Sequence, residues 1–205
     1  MERSGESSST RVVHPKILYF GTPVVLLTTL NKDGSSNITP LSSAWALGNH
    51  IVLGLGEGGH GLDNLRQHGE CVVNLPDSNL WERVEALASL TGSQLVPDGK
   101  KNTFHYEKDK FSVSQLTAEP SHHVRPDRIA ECPLQIEAQL IELWMAGHST
   151  RFAIIEVEAI TVHAHQAIIR DESHIDPAIW NPLIYNFRHY FGLGAERGKT
   201  FRAEV

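Results

Sequence analysis

Long apolar runs are missing from this chain. No stretch reaches the roughly 18 to 20 residues that a membrane-crossing helix needs, and the opening MERSGESSST lacks the apolar core of a secretion signal. A cytoplasmic location with no membrane partner is therefore expected. Cysteine is scarce as well. Cys71 and Cys132 each stand among strand-like apolar residues, which suits small buried core residues in a reducing compartment better than a disulfide or a metal pair. Positive charge is also short: 18 Lys and Arg against 24 Asp and Glu leave a formal net charge of −6, and no basic stripe exists to hold nucleic acid or an anionic surface. A phosphate-bearing ligand would need donors gathered locally. No G-x-S-x-G elbow or P-loop occurs, and no Rossmann G-x-G-x-x-G follows a first strand, so hydrolase, nucleotide-triphosphate and dinucleotide-fold readings have no motif to rest on.

What is present is an ordinary globular balance, 40% hydrophobic and 20% charged over 205 residues, enough for one well-filled core. Residues 1–12 lack apolar periodicity and predict a loose tail, leaving residues 13–205 as one domain. The β-branched run Pro23 to Leu30, the turn Asn31 to Gly34 and a return strand from Ser36 to about Ala46 predict a hairpin. Pro40 removes a ladder donor, which places the return strand at an edge or a bulge. Further strands are expected at Ile51–Gly56 and Cys71–Pro76, with a short helix from about Leu62 between them. Ser78 is the expected cap of a helix reaching Thr91–Gly92, and residues 93–128 read as an excursion over one barrel end. Ile129–Trp144 and Arg151–His163 predict a long antiparallel pair. Strands joined by hairpins, without strand–helix alternation, indicate a mainly β fold: an antiparallel split β-barrel, Greek-key-like, with a few flanking helices.

Two segments carry possible chemistry. In NITPLSSAWAL, Asn37 to Leu47, a bulged strand sets backbone donors beside the hydroxyls of Thr39, Ser42 and Ser43, a strip suited to the polar edge of a flat heterocycle. The same residues also fit a plain edge strand with surface hydroxyls. In LGEGGHGLDNLR, Leu55 to Arg66, glycines let the backbone approach a ligand, and a helix N-terminus gathers N–H donors where a phosphate can sit. Such loops also serve as simple turns. Twelve histidines invite a metal reading, and His163 and His165 share a strand face. Spacing implies no Cys or carboxylate partner for them or for His122–His123, so surface histidines and no metal are expected.

The succession PVVLLTTLNKDGSSNITPLSS, LGEGGHGLDNLRQHGECVVNLP and RIAECPLQIEAQL resembles the flavin reductase-like, FMN-binding split-barrel family over roughly residues 14–195. The resemblance implies that Thr39, Pro40, Leu41, Ser42 and Ser43 contact the flavin ring. It places Gly56, Gly58, His60, Gly61, Asn64 and Arg66 at the phosphate end. Where the family usually has Thr or Ser three residues before the helix Asn, this chain has Gly61, and His60 is the candidate replacement donor. The closing segment Pro182 to Gly194 implies that Arg188 and Tyr190, with Tyr185 and His189 nearby, reach the flavin or a partner subunit; sealing the barrel is the other reading. His148, in a turn before the last long strand, is a weak catalytic candidate beside a purely structural role. No other catalytic residue is named, since hydride transfer to a flavin needs no acid or base.

The implied function is an FMN-dependent oxidoreductase, with FAD as a possible substitute, in which NAD(P)H reduces the flavin and electrons pass to free flavin, oxygen or a small acceptor. A flavin-dependent oxidase or oxygenase acting on a small organic substrate is the alternative, with residues 93–128 as a lid. A non-catalytic flavin or haem carrier, or an interaction module, is the alternative outside enzymes. A homodimer is expected from the resemblance and from the aromatic C-terminal segment, which lacks the periodicity to form its own core.

Overall fold

The computed structural model describes residues 10–96, 101–146 and 151–201. Strand β1 (Phe20–Pro23) leads into β2 (Val25–Leu30), whose every residue is buried. The alternation of side chains explains why this strand is apolar on both faces. Val25 and Leu27 enter one core with Leu53, Leu62, Val73 and Ile155, while Val24 and Leu26 enter a second with Val84, Leu87, Ile129 and Leu183. The first core lies within the sheet; the second gathers around residues 80–90, the excursion and the C-terminal segment. Cys71 is buried in the first and Cys132 in the second, both as free thiols.

After the turn at Asn31–Ser35, with Gly34 at φ 84°, the chain returns as β3 (Ser36–Leu41). The expected single return strand is in fact two. β4 (Ala44–Leu47) pairs with β5 (His50–Gly56) instead of continuing along β2. Helix α1 (His60–His68) ends on Gly69 at φ 69° and leads into β6 (Glu70–Leu75). A 3-10 turn at Ser78–Leu80 precedes α2 (Trp81–Glu85). The cap here is Asp77, whose side chain accepts from the Asn79 N–H, and not Ser78. α2 stops well short of Thr91 because Leu90–Thr91 is drawn into a short parallel pair with His105–Tyr106. Within the excursion lies α3 (Lys110–Ser114), and Arg128–Ile129 pairs with Ala118–Glu119, so the following strand starts only after Pro133. The long hairpin β7 (Leu134–Met145) and β8 (Phe152–Ala164) forms as expected.

The main sheet runs β3-β2-β6-β7-β8-β5-β4. Its two edge strands, β3 and β4, are consecutive in the chain and joined only by Ser42 and Ser43. Three residue steps span at most about 11 Å, so the sheet must curl until its edges stand side by side. That is a split antiparallel barrel. Edge position also accommodates Pro40, which lies opposite Leu26 on the strand's one paired side.

The C-terminal segment is more regular than its sequence suggests. β9 (Ile184–Asn186) and β10 (His189–Phe191) form a hairpin that adds to β1. Its two-residue turn places Phe187 at φ 44° and Arg188 at φ 71°, a conformation that suits glycine and is strained for both side chains. No helix among the described residues is long and apolar enough to cross a membrane.

Candidate functional site

The barrel seam is where the first candidate segment lies. Ser42 and Ser43 belong to neither flanking strand, and the Ser43 carbonyl accepts from the Gly54 N–H at 2.8 Å. Residue 54 must be glycine for this approach, since a Cβ there would lie 2.9 Å from Ser43 Cβ. The Ser43 hydroxyl is 2.9 Å from that of Tyr19. Both serines line a largely apolar cleft of about 940 Å³, walled by Tyr19, Phe20, Trp45 and Trp144. Thr22 also lines this cleft. Its hydroxyl oxygen is buried without a hydrogen-bond partner, which is unfavourable unless a ligand or water completes it.

The second segment meets the first directly. A Cβ at residue 61 would overlap the Thr39 hydroxyl and lie 3.2 Å from Thr39 Cβ, so Gly61 permits α1 to rest on β3. Asn37 Nδ2 donates to Thr39 Oγ1 at 3.0 Å. Asn31 organises the neighbouring polar groups, because its Oδ1 lies 2.8 Å from His60 Nε2 and accepts from Asn64 Nδ2 at 2.9 Å. Burial, with Lys110 nearby, holds the His60 imidazole below its ordinary value, so it is neutral and its Nε2–H is committed to Asn31. His60 and Asn64 line a cavity of about 470 Å³ with Lys32, Lys108, Asp33, Asp63 and Gly92.

Other expected residues are held apart from these. Leu41 packs on the barrel core. Gly56 and Gly58 are exposed beside the start of α1, with open space where a Cβ would stand. Arg66 is exposed and donates to Met145 Sδ at 2.9 Å, away from the cavity that His60 and Asn64 line. Arg188 and Tyr190 line a different cavity of about 720 Å³ with Trp81 and Glu85, and the Tyr190 hydroxyl donates to Glu85 Oε2 at 2.9 Å. A row of rings joins that cavity to the seam: Tyr19 to Tyr185 at 5.4 Å between centroids, then Tyr185 to Tyr190 at 5.6 Å. His148 lies outside the described residues.

Sequence reasoning missed three features. Lys110 is 3% exposed and donates to the Ile38 carbonyl at 2.7 Å, covering an edge group of β3; burial pushes its ammonium down to about 8. Tyr19 had no motif to mark it. Glu137, fully buried on β7, receives the His122, His123 and Val124 N–H groups and His163 Nε2. The expectation that His163 lacks a carboxylate partner is thereby corrected: the partner comes from the neighbouring strand, by a diagonal that linear spacing cannot show, while His122 reaches the same carboxylate through its backbone N–H.

Residues 17–194 match the family described as the flavin reductase like domain. The chain belongs to that family. It is 53% identical over 194 residues to the uncharacterized protein YdfE of Bacillus subtilis (strain 168), covering 94% of each. Among solved structures this flavin reductase-like chain is similar to flavoredoxin of Desulfovibrio vulgaris (Miyazaki F), with TM-score 0.78, 21% identity and coverage of 95% of this chain and 99% of that one. It also resembles nitrilotriacetate monooxygenase component B of Bacillus cereus, with TM-score 0.70, 17% identity and coverage of 97% and 98%. A third likeness is to the 2-nitrobenzoate 2-nitroreductase NbaA of Pseudomonas fluorescens, at TM-score 0.69, 18% identity and coverage of 93% and 89%. At these identities the structural likenesses establish the split-barrel fold, and the family match establishes a flavin reductase-like protein.

Proposed function

We propose that this flavin reductase-like chain is an oxidoreductase that binds FMN at the barrel seam, accepts electrons from NAD(P)H and works as a homodimer. The observation that carries the reading is the contact of Gly61 with Thr39, which brings the glycine-rich loop and α1 against the strand ending at Ser42–Ser43. The residues fit a flavin. A cleft of about 940 Å³ falls within the range of small-molecule sites and offers aromatic walls for a planar ring. Thr39, Pro40 and Leu41 lead to the seam, where Ser42 and Ser43 bring polar groups to the ring edge. FMN supplies two-electron redox chemistry when bound.

The phosphate end follows from the same contact. His60 spends its Nε2 on Asn31, but Thr39 holds its hydroxyl where the family's usual Thr or Ser side chain would project. Thr39 Oγ1 accepts from Asn37, which leaves its own proton to donate. Thr39 therefore replaces the hydroxyl that Gly61 lacks, supported by Asn64 and the positive charge of Lys32, while Lys108 is ion-paired with Asp33 at 2.7 Å. Arg66 stays with Met145 and adds only its charge, while Arg188 and Tyr190 act from the partner or on a second substrate.

The test is an absorbance spectrum of freshly purified protein, FMN and FAD titrations, and anaerobic addition of NADH or NADPH. Bleaching of bound FMN by a nicotinamide on the turnover timescale is expected. Bleaching by an organic substrate alone would overturn the nicotinamide step and favour an oxidase. Colourless protein with no thermal shift on adding either flavin would favour an interaction module.

A further inference from the structure

We propose that His122, Glu137 and His163 form a binding site for a divalent transition-metal ion, with Zn²⁺ the best match, that fastens the excursion to the long hairpin. Each residue offers a ligand atom, and these atoms lie within 4.8 Å of one another. They come from remote places: His122 from the turn after Pro120, Glu137 from β7 and His163 from β8. The rings of His122 and His163 stand edge to face, 4.7 Å apart between centroids and 89° between planes.

The carboxylate is built as an oriented ligand. Glu137 Oε2 accepts from the His123 and Val124 N–H groups at 2.6 and 3.1 Å, which fixes the plane of the group. Oε1 faces His163 Nε2 at 2.6 Å and takes the His122 N–H at 2.8 Å. Backbone bonds of this kind hold a metal-ligating carboxylate in place from behind. Two imidazoles and one carboxylate suit Zn²⁺, whose bonds of roughly 2.0 to 2.2 Å set neighbouring ligand atoms about 3.3 Å apart in a tetrahedral site. Oε1 and Nε2 then separate slightly, while the exposed His122 ring swings inward. His123 is also exposed, with its ring 6.3 Å from that of His122, and it or a water completes the fourth position. None of the three ligands lines the cavities at the seam, beside α1 or beside Arg188, so the site is independent of flavin binding.

Full-length, tag-free protein stripped with chelator is titrated with ZnCl₂ by calorimetry, with Co²⁺ absorbance as a report of coordination geometry. One Zn²⁺ per chain and a rise in Tm are expected. His163→Gln and His122→Gln should each weaken binding at least as much as loss of an outer partner does, roughly 10- to 100-fold. His165→Gln, which removes a ring bonded to the Ala130 carbonyl, should leave affinity unchanged. FMN titration should be the same in every variant that folds. Failure of the wild-type chain to bind Zn²⁺, or wild-type affinity in both His163→Gln and His122→Gln, would overturn the proposal.

Discussion

Thr39 fills the space that a side chain on residue 61 would occupy, so the hydroxyl of one strand residue stands where α1 presents only a glycine. The two positions are coupled. Adding a methyl group at Gly61 must push α1 off β3 or drive Thr39 from its rotamer, and overpacking of this kind costs about 1 to 3 kcal/mol.

Gly61→Ser is therefore expected to lower Tm, by roughly 2 to 12 °C for a chain of this size. Thr39→Ala opens the space again. The double variant Gly61→Ser/Thr39→Ala should recover most of the lost stability, and with a hydroxyl restored it should bind FMN better than Thr39→Ala alone. Thermal melts and flavin-fluorescence titrations on all four proteins test this. Additive losses in the double variant would show that the contact carries no coupling.

Lys110 makes a prediction about alkaline stability. Burial lowers its folded-state value from 10.5 to about 8, so between those limits the unfolded chain binds the proton that the folded chain has released. Stability contributed by this group therefore rises with pH from about 8 to about 10.5. The wild-type Tm should gain on Lys110→Met as pH is raised from 7.5 to 9.5, and equal pH dependence in the two proteins would remove Lys110 as the source. At neutral pH the variant also loses the donor to the Ile38 carbonyl, which offsets relief of the buried charge.

The fold was legible wherever the covering layer left a local pattern. The apolar run Val24 to Leu30 marks a strand buried on both faces, and the long hairpin was readable from two extended β-rich stretches. The break at Ser42–Ser43 was hidden, because only closure of the barrel turns one apparent strand into two opposite edges. α2 was overread for a related reason: Leu87 and Leu90 repeat at helical spacing, yet both serve the second core from non-helical backbone. At the site, Ser42, Ser43, His60 and Asn64 were readable in linear motifs, whereas Lys110, Tyr19 and Glu137 act across the fold. Arg66 shows the limit of motif transfer, since α1 turns its side chain toward Met145.

Glu137 sets an acid limit on the turn at residues 122–124. Burial alone would raise its carboxyl, but the N–H groups of His122 and His123, the His163 ring and the Val124 N–H outweigh that and bring it down to about 2. A carboxyl lowered from 4.5 contributes stability that is complete above that value and is lost as pH falls toward 2. Amide exchange at His122, His123 and Val124 should accelerate across this window relative to the core of β2. Glu137→Gln should expose the same amides at neutral pH, because an amide cannot accept at both ends. Unchanged protection in that variant would refute the anchoring role.

The last prediction concerns the open side of the seam cleft. Phe20, Trp45 and Leu47 line it with exposures of 74%, 59% and 75%, a cluster of large apolar side chains that a lone soluble chain rarely presents. A second copy covering this face would bury them and bring its own residues to the cleft, which is why a homodimer accompanies the proposed flavin site. Leu47→Glu places a charge at the rim, where desolvation opposes association but the barrel core is untouched. Light scattering should give twice the chain mass for the wild type and the single mass for the variant, with Tm becoming independent of protein concentration. FMN affinity should fall with the loss of the dimer. A wild-type chain that is monomeric at micromolar concentration and still binds FMN would place the whole flavin site within one barrel.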